Sequence, residues 1–386
     1  MSFEQPKFVN SKESKIEKKE FSYLPECVRN AENALQDFLK LKPEERVLFL
    51  EDKKTNRDVI LILKEAIQNM GSSWEKIVLK KETKRREIQN LLKENEIVID
   101  LSVESSQATE NLLDEDIKKF GNRALALYDI DTGMFKEGGA LTEKLEDLEW
   151  RLNKMETLLK NAVGFRITSV YGTNLEVELR PFKERRWFKD TGVIEGPGQW
   201  DNLPGGEIFT TPDEGKVNGT LVLPALDSII SPEQGVDEFI NLKIKNGKIV
   251  LIQGGKSAEK LRKNLEEMAY EAYKERKNPW DVYQCAELAF GANSKARSVV
   301  ADPDQPYNFP GVSTVETEKR LGTIHIAFGD TKHGEEGTEG FVETVCHYDF
   351  MIPRNGLTVE MFNNEEDFKK KVNGRKIINR GGLNFF

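Results

Sequence analysis

Hydrophobic and polar positions alternate along the first third of the chain as short apolar runs and amphipathic segments. The apolar runs that predict strands are residues 46–50, 77–79, 97–99 and 124–127. The segments with helical periodicity are residues 24–41, 57–70, 84–94 and 109–120. Two of these helices are followed by glycines, Gly71 and Gly121, which commonly end a helix. Regular alternation of strands and helices predicts βαβ units and a parallel sheet, and therefore an α/β domain.

A long charged segment, residues 141–162, separates this region from one of different character. Its leucine and methionine positions recur at helical spacing, which predicts a helix that connects two domains rather than one that binds a partner. Short β-like runs and turn residues dominate from Arg166 onward. The predicted fold class is α/β, with an N-terminal parallel-sheet domain followed by a mixed, β-rich α+β metal-binding domain. The predicted segments are a loose extension (1–21), the α/β domain (22–140), the connecting helix (141–162) and the metal-binding domain (163–386).

Composition narrows the functional classes. The 386 residues carry a net charge of −9, whereas a nucleic-acid binder is expected to present a basic face. No apolar run approaches the roughly 20 residues that span a bilayer, and the N-terminal region has no hydrophobic signal-peptide segment. The three scattered cysteines suit neither a disulfide framework nor a cysteine-type zinc site. We therefore expect a cytoplasmic protein with a small substrate and with no nucleic-acid or membrane partner.

No phosphate-binding loop follows any of the predicted strands. The polar segment 51–54 stands after the first strand, where a dinucleotide-binding domain would have a glycine-rich turn. Gly255, Lys256 and Ser257 resemble the end of a P-loop, but Val250 occupies the position of its first glycine. We therefore expect no nucleotide cofactor and no cofactor-binding residues of that kind.

All three histidines of the chain, His325, His333 and His347, lie within residues 318–350. His325 and His347 each occupy an apolar run that predicts a strand. Because residues i and i+2 of a strand point to the same face, His347 and Asp349 project together, about 6–7 Å apart. An imidazole and a carboxylate aimed at one point form half of a metal site, and His325 could supply a third ligand. The alternative is a buried hydrogen bond in which the carboxylate fixes the tautomer of the ring.

Acidic residues in three further segments are candidates for the same site. Glu207 follows a Pro-Gly-Gly turn that bends the backbone sharply, which suits a ligand and equally a solvated turn residue. Glu287 is the single acid of the apolar run 285–293, and a buried carboxylate needs a partner or a metal. We favour a ligand role for Glu287 over a position on the solvent side. Glu316 or Glu318 precedes the His325 strand; Glu318 is the better candidate, although a solvated acid is the favoured interpretation.

Residues 180–352 resemble the aminopeptidase T family of metallopeptidases. The resemblance rests on segments 202–212, 325–329 and 347–351, which occur in that order. It implies two divalent ions, Zn, Co or Mn, and a metalloaminopeptidase, a hydrolase that removes N-terminal residues from short peptides. It identifies no catalytic residue. The ligands that it implies are Glu207, His325, His347 and Asp349, with Glu287 as a less secure fifth.

Two alternatives remain open. A ring-opening dioxygenase of dihydroxypyridines is similar to this family and uses a related scaffold with one iron. His325, His347 and Asp349 would then be the two histidines and one carboxylate of a non-haem Fe(II) site. The other alternative is a catalytically silent metal-binding protein. The sequence also leaves the assembly open, with a homodimer among the alternatives.

Overall fold

The computed structural model describes residues 25–80, 82–103, 113–224, 239–299, 304, 312–332 and 340–385. Its α-helices are α1 (Pro25–Asp37), α2 (Arg57–Asn69), α3 (Arg85–Leu92), α4 (Lys118–Phe120), α5 (Leu145–Leu159), α6 (Lys256–Lys274), α7 (Thr314–Lys319) and α8 (Glu365–Lys370). Its first nine strands are β1 (Arg46–Glu51), β2 (Ser73–Val78), β3 (Ile97–Asp100), β4 (Arg123–Ala126), β5 (Gly164–Thr168), β6 (Asn174–Glu178), β7 (Phe188–Asp190), β8 (Trp200–Asn202) and β9 (Glu207–Thr210). The others are β10 (Val217–Pro224), β11 (Phe239–Lys245), β12 (Lys248–Gln253), β13 (Cys285–Gly291), β14 (Ile324–Gly329), β15 (His347–Ile352), β16 (Thr358–Phe362), β17 (Arg375–Asn379) and β18 (Gly382–Leu383).

The chain divides into two compact units. The first contains the described parts of Met1–Thr142 and Val193–Leu203, and the second contains those of Glu143–Gly192 and Pro204–Phe386. Among the described residues, no helix is both long enough and apolar enough to cross a membrane. The predicted extension at residues 1–21, the start of the predicted helix 109–120 and His333 lie outside the described residues.

A parallel sheet forms the centre of the first unit. Its strand order is β2-β1-β3-β4-β8, and all neighbouring strands run parallel. β3 and β4 are buried along their whole length, as expected for parallel strands covered on both faces. Asn56 caps α2 because its side chain accepts hydrogen bonds from the N–H groups of Asp58 and Val59. The prediction of a parallel α/β domain is confirmed.

Tertiary contacts decide to which unit β8 and α5 belong. β8 falls within the segment predicted for the second domain, yet it pairs with β4 in the sheet of the first unit. α5 is shorter than the predicted helix 141–162 and belongs to the second unit, where it buries Leu148, Leu152, Met155 and Leu159. The apolar stripe was recognisable from its spacing, but the surface that it packs against depends on tertiary structure.

Two antiparallel sheets form the second unit. The larger has the order β12-β11-β10-β6-β5-β16-β17-β18, and the smaller has the order β15-β14-β13-β9-β7. Side chains from both sheets share one hydrophobic core. Within it, the ring centroids of Phe165 on β5 and Phe290 on β13 are 5.7 Å apart. This mixed and β-rich architecture confirms the predicted fold class.

Strand alternation decides what the other face of the five-stranded sheet carries. Leu288, Phe290, Ile326, Phe328 and Phe350 all point into the core. Because successive side chains of a strand point to opposite faces, their sequence neighbours project away from that core. The neighbours on the three adjacent strands include Glu287, Ala289, His325, Ala327 and Asp349, and His347 shares the face of Asp349 because it lies two residues before it on β15. The core positions thus require that histidines and carboxylates share the opposite face.

Candidate metal centre

Small residues occupy the middle of this face. Ala327 on β14 is paired with Glu287 on β13 and with Asp349 on β15, and Ala289 on β13 is paired with His325. Directly opposed side chains on neighbouring strands have their Cβ atoms about 4.5–5.5 Å apart. Because two of these positions carry only a methyl group, the longer side chains around them can converge above the sheet.

One ring nitrogen of His325 faces three carboxylates. The side chain is buried, and its Nε2 lies 2.9 Å from Glu287 Oε1, 3.5 Å from Glu207 Oε2 and 3.7 Å from Asp349 Oδ1. The three carboxylates come from three different strands, β13, β9 and β15. A single buried imidazole therefore lies at the centre of the cluster.

His347 is oriented by a backbone carbonyl. Its Nδ1 donates a hydrogen bond of 2.8 Å to the carbonyl oxygen of Asp330, and its Nε2 lies 3.5 Å from Asp349 Oδ1 and 3.6 Å from Glu287 Oε2. A neutral ring that donates through Nδ1 carries its lone pair on Nε2, which is the usual arrangement of a metal-binding histidine. The hydrogen bond to Asp330 O therefore defines the tautomer of the neutral ring.

Sequence reasoning missed two residues of the cluster, Lys319 and Asp190. The side chain of Lys319 is 1% exposed; its Nζ donates a hydrogen bond to Glu207 Oε1 and lies 3.0 Å from Asp190 Oδ2 and 3.2 Å from Glu318 Oε1. Asp190 on β7 is paired with Glu207 on β9. Neither residue has a sequence signal of its own, because both become recognisable only when β7 and α7 are placed beside β9.

Close packing brings the end of α7 to this face. A Cβ atom on Gly291 would lie 2.2 Å from the carbonyl oxygen of Arg320, so only glycine at the end of β13 allows the residues after α7 to lie so near. Glu318 is buried in the cluster, so its interpretation as a solvated acid is wrong. Glu316 instead forms an ion pair of 2.7 Å with Arg297.

Neighbouring carboxylates hold protons on the bases of the metal-free cluster, against the effect of burial. Burial disfavours the charged form of His325, but the hydrogen bond to Glu287 and the nearby carboxylates outweigh it and raise the pKa of His325 to about 10. The pKa of His347 is raised well above its ordinary value against burial, chiefly by Asp349. The pKa of Lys319 is raised in the same way, chiefly by Glu207. A metal ion must therefore displace protons from the imidazoles in order to bind.

The acids divide according to their partners. Burial raises the pKa of Glu207, and it raises the pKa of Glu318 to about 8. Burial acts in the same direction on Asp349, but the charge of His347, together with those of His325 and Lys319, outweighs it and holds the pKa of Asp349 well below its usual range. Asp349 is therefore the carboxylate that stays ionised most firmly.

The donor atoms fit a divalent cation. Three groups each bring their donor atoms within 4.8 Å of one another: Glu207–Glu287–His325, Glu287–His347–Asp349 and Glu318–His325–Asp349. Within the part of the chain that the structure describes, Glu207 Oε2 and Asp349 Oδ1 are buried without a hydrogen-bond partner. An unsatisfied buried carboxylate oxygen is unfavourable, and a bound cation would satisfy that of Asp349.

The structure brings together all five residues that the sequence predicted as metal ligands, Glu207, Glu287, His325, His347 and Asp349. Their role as ligands stays a prediction. Glu207 and Glu287 are 7% and 5% exposed, so neither is the solvated acid of the alternative interpretation. The His347 and Asp349 side chains are 31% and 24% exposed, and the cluster opens toward solvent on that side.

The fold and the site define a two-unit α/β protein with a histidine–carboxylate cluster suited to a divalent cation. The family described as NicX, 2,5-dihydroxypyridine 5,6-dioxygenase, matches residues 30–364, and the chain belongs to that family. A relative from Pseudomonas putida, named 2,5-dihydroxypyridine 5,6-dioxygenase, is 32% identical over 152 residues. That match covers 39% of this chain and 40% of the relative's own length.

Two solved structures share the fold. The 2,5-dihydroxypyridine dioxygenase of Pseudomonas putida superposes with a TM-score of 0.63 at 20% identity, over 93% of this chain and 96% of that one. AmpT from Thermus thermophilus superposes with a TM-score of 0.61 at 17% identity, over 94% of this chain and 100% of that one. At these identities the likeness shows the fold alone.

These findings correct the functional prediction. The resemblance to aminopeptidase T holds at the level of the fold, since AmpT has the same architecture. The family that matches most of the chain is described as a dioxygenase. The prediction of a metalloaminopeptidase, a hydrolase acting in proteolysis, is therefore wrong, and the alternative of a ring-cleaving dioxygenase is the better supported one.

Proposed function

We propose that the protein is a ring-cleaving dioxygenase of 2,5-dihydroxypyridine or a close analogue, with one Fe(II) bound by His325, His347 and Asp349. The observation that carries the proposal is the convergence of two imidazole Nε2 atoms on Asp349 Oδ1, at 3.7 Å and 3.5 Å. Two histidines and one carboxylate with further positions open are the donor set of non-haem Fe(II) oxygenases. The family match over residues 30–364 supports the same reaction class.

Bound Fe(II) would supply the redox chemistry with dioxygen that the protein side chains lack. The chain's own residues supply orientation. Asp330 O holds the His347 ring so that Nε2 faces the cluster, and the Oε1 and Oε2 atoms of Glu287 lie 2.9 Å from His325 and 3.6 Å from His347. The hydrogen bond from Nδ1 to Asp330 O is of the kind that keeps an imidazole ligand in the correct tautomer and position, whereas Glu287 faces the Nε2 atoms themselves and would lie beside the metal.

Glu207 is the residue best placed to accept a proton from a substrate hydroxyl group. Its Oε2 has no hydrogen-bond partner among the described residues, and burial raises its pKa. A general base works best when its pKa approaches the working pH. The Oε1 atom of the same carboxylate accepts a hydrogen bond from Lys319, which fixes the direction of the free oxygen.

Among the described residues of the cluster, His347 and Asp349 are the more exposed to solvent. The exposed edges of His347 and Asp349 lie on β15, whereas the side chains of Glu207, Glu287 and His325 are at most 9% exposed. A planar aromatic substrate would therefore approach over β15. The buried side keeps water away from the carboxylates that handle protons.

The test compares metals on one preparation. Apo-protein would be loaded anaerobically with Fe(II), Mn(II), Co(II) or Zn(II), and each form would be assayed for oxygen uptake with 2,5-dihydroxypyridine and for amine release from Leu-initiated dipeptides. We expect oxygen uptake with Fe(II) alone. Stoichiometric Fe(II) binding without oxygen uptake would contradict the proposed reaction and leave a silent metal-binding protein.

Asp349→Asn tests the ligand assignment with little change of shape. We expect Fe(II) binding at least about 100-fold weaker, because even partners outside the ligand set contribute about 10–100-fold. Asp58→Asn, an exposed aspartate in the first turn of α2, is the matched control and should bind Fe(II) normally. Full Fe(II) occupancy in Asp349→Asn would remove Asp349 from the ligand set.

A further inference from the structure

Lys319 is a buried cation within the candidate metal centre. Its side chain is 1% exposed, and its Nζ contacts the carboxylates of Glu207, Asp190 and Glu318. Charged side chains are rarely buried unless they are paired, and here one ammonium group is shared by three acids from β9, β7 and α7. The contacts are short enough for hydrogen bonds to each acid.

The partners of Lys319 divide the donor atoms into two sides. Two of the donor groups, Glu207–Glu287–His325 and Glu318–His325–Asp349, each contain a carboxylate that already contacts the ammonium group of Lys319. The remaining group, Glu287–His347–Asp349, contains no residue that contacts Lys319 Nζ at an ion-pair distance in the described part of the chain.

Space and charge both oppose a second metal ion on the lysine side. A metal–oxygen bond to a carboxylate is about 2.0–2.2 Å for ions such as zinc, so an ion shared by Glu207 and Glu318 would lie almost in contact with the ammonium group. An ion on Glu207 Oε2 alone would still face a positive charge held on the other oxygen of the same carboxylate. Both arrangements place like charges together at low dielectric constant.

We propose that Lys319 is an internal cation that takes the place of a second divalent ion and restricts the cluster to one metal, bound on the side of His347 and Asp349. Lys319 acts through the carboxylates and is therefore a positioning residue. This inference rests on the proposed metal centre but not on the proposed reaction.

The experiment measures how many Mn(II) ions each chain binds, by equilibrium dialysis with elemental analysis and by electron paramagnetic resonance. We expect one Mn(II) per wild-type chain, with the spectrum of an isolated ion. Lys319→Gln removes the charge and keeps most of the length, and it should bind two Mn(II) with the spectrum of a coupled pair. Lys319→Arg keeps the charge and should bind one.

Two further variants control for general effects. Lys216→Gln removes an exposed lysine that pairs with Glu178, and it should bind one Mn(II) as the wild type does. Lys319→Gln combined with Asp190→Asn removes a carboxylate together with the ammonium group, so the buried net charge is unchanged. This double variant should fold and bind two Mn(II), since the space is open and Glu207 and Glu318 remain.

The outcomes separate the two proposals. Two Mn(II) bound to the wild type, or one Mn(II) bound to both folded Lys319→Gln variants, would overturn the inference. No Mn(II) bound to the wild type would overturn both the metal centre and the inference. One Mn(II) in the wild type and two in the variants, without any oxygen uptake by the Fe(II) form, would support the inference while rejecting the dioxygenase.

Discussion

Removing the metal should make the stability of the protein fall as the pH rises. In the metal-free cluster the pKa of His325 is raised from its ordinary 6.5 to about 10. Below pH 6.5 both the folded and the unfolded chain carry the imidazolium, so the stabilisation by the carboxylates is fully present. Between pH 6.5 and 10 the folded chain holds a proton that the unfolded chain has lost, and stability decreases with pH. Glu318, with a pKa raised from 4.5 to about 8, acts in the same direction over a lower window.

The structure sets the order of magnitude of this effect. Each unit of pKa shift corresponds to about 1.4 kcal/mol of differential interaction, so the shift of His325 allows a loss of a few kcal/mol across the window. A domain of about 150–250 residues changes its Tm by about 2–4 °C per kcal/mol. We therefore expect the Tm of the metal-free protein to fall by roughly 5–10 °C between pH 6.5 and pH 9.5.

Thermal melts of chelator-treated protein, followed by circular dichroism at pH 6.5, 8 and 9.5, measure this fall. The matched variant is His325→Gln, which cannot bind the proton and should show a smaller fall. The metal-loaded protein should also show a smaller fall, because its imidazoles are neutral ligands at every pH in the window. Equal Tm values for metal-free wild type at pH 6.5 and 9.5, or an identical fall in His325→Gln, would refute the reasoning.

Two further predictions concern the scaffold of the second unit. Phe290→Ala removes a fully buried ring that contacts three other aromatic rings and should destabilise the unit by about 3–5 kcal/mol in urea unfolding; a loss below about 1 kcal/mol would mean that the core repacks. Gly329→Ala should lower metal content, because Gly329 has φ +124° and a Cβ would lie 2.0 Å from the carbonyl oxygen of Cys346, next to His347. Gly138→Ala, at φ +78° with no atom within 4 Å, is its control, and normal metal content in both variants would contradict the prediction.

The correction from aminopeptidase to dioxygenase has a physical basis. The two solved relatives have nearly equal TM-scores, 0.63 and 0.61, so the scaffold does not distinguish the two reaction classes. Fold alone rarely decides function, because chemistry depends on the side chains of the site. The segments on which the resemblance rested contain the fold-determining turn and strands as well as the site, and they are compatible with both reactions.

The residues of the site that could be predicted from the sequence were those indicated by the pattern of apolar and polar positions along strands. His347 and Asp349 were predicted to share a face because they are two residues apart on a strand. In the structure His347 Nε2 lies 3.5 Å from Asp349 Oδ1. Glu287 was recognised because one acid stood in an apolar run, and it is buried beside His325. Each of these inferences used only local geometry.

The unpredictable part depended on contacts between segments that are distant along the chain. Asp190 and Lys319 are 129 residues apart in number, yet the Oδ2 atom of one and the Nζ atom of the other are separated by 3.0 Å. Glu318 was interpreted as a solvated acid because Lys319 and Arg320 follow it in the sequence. In the structure α7 is packed so that Glu318 and Lys319 are both buried. No periodicity marks such contacts.

The sequence by itself determined the alternation of strands and helices in the first unit, the β-rich character of the second, and the pairing of an imidazole with a carboxylate on one strand. These follow from backbone geometry and from the period of apolar residues, which act over a few residues. Only the tertiary structure decided that β8 joins the first sheet, that α7 brings Lys319 into the cluster, and that four acids surround two histidines. Those features arise from the packing of distant segments around a common core, which depends on the whole chain at once.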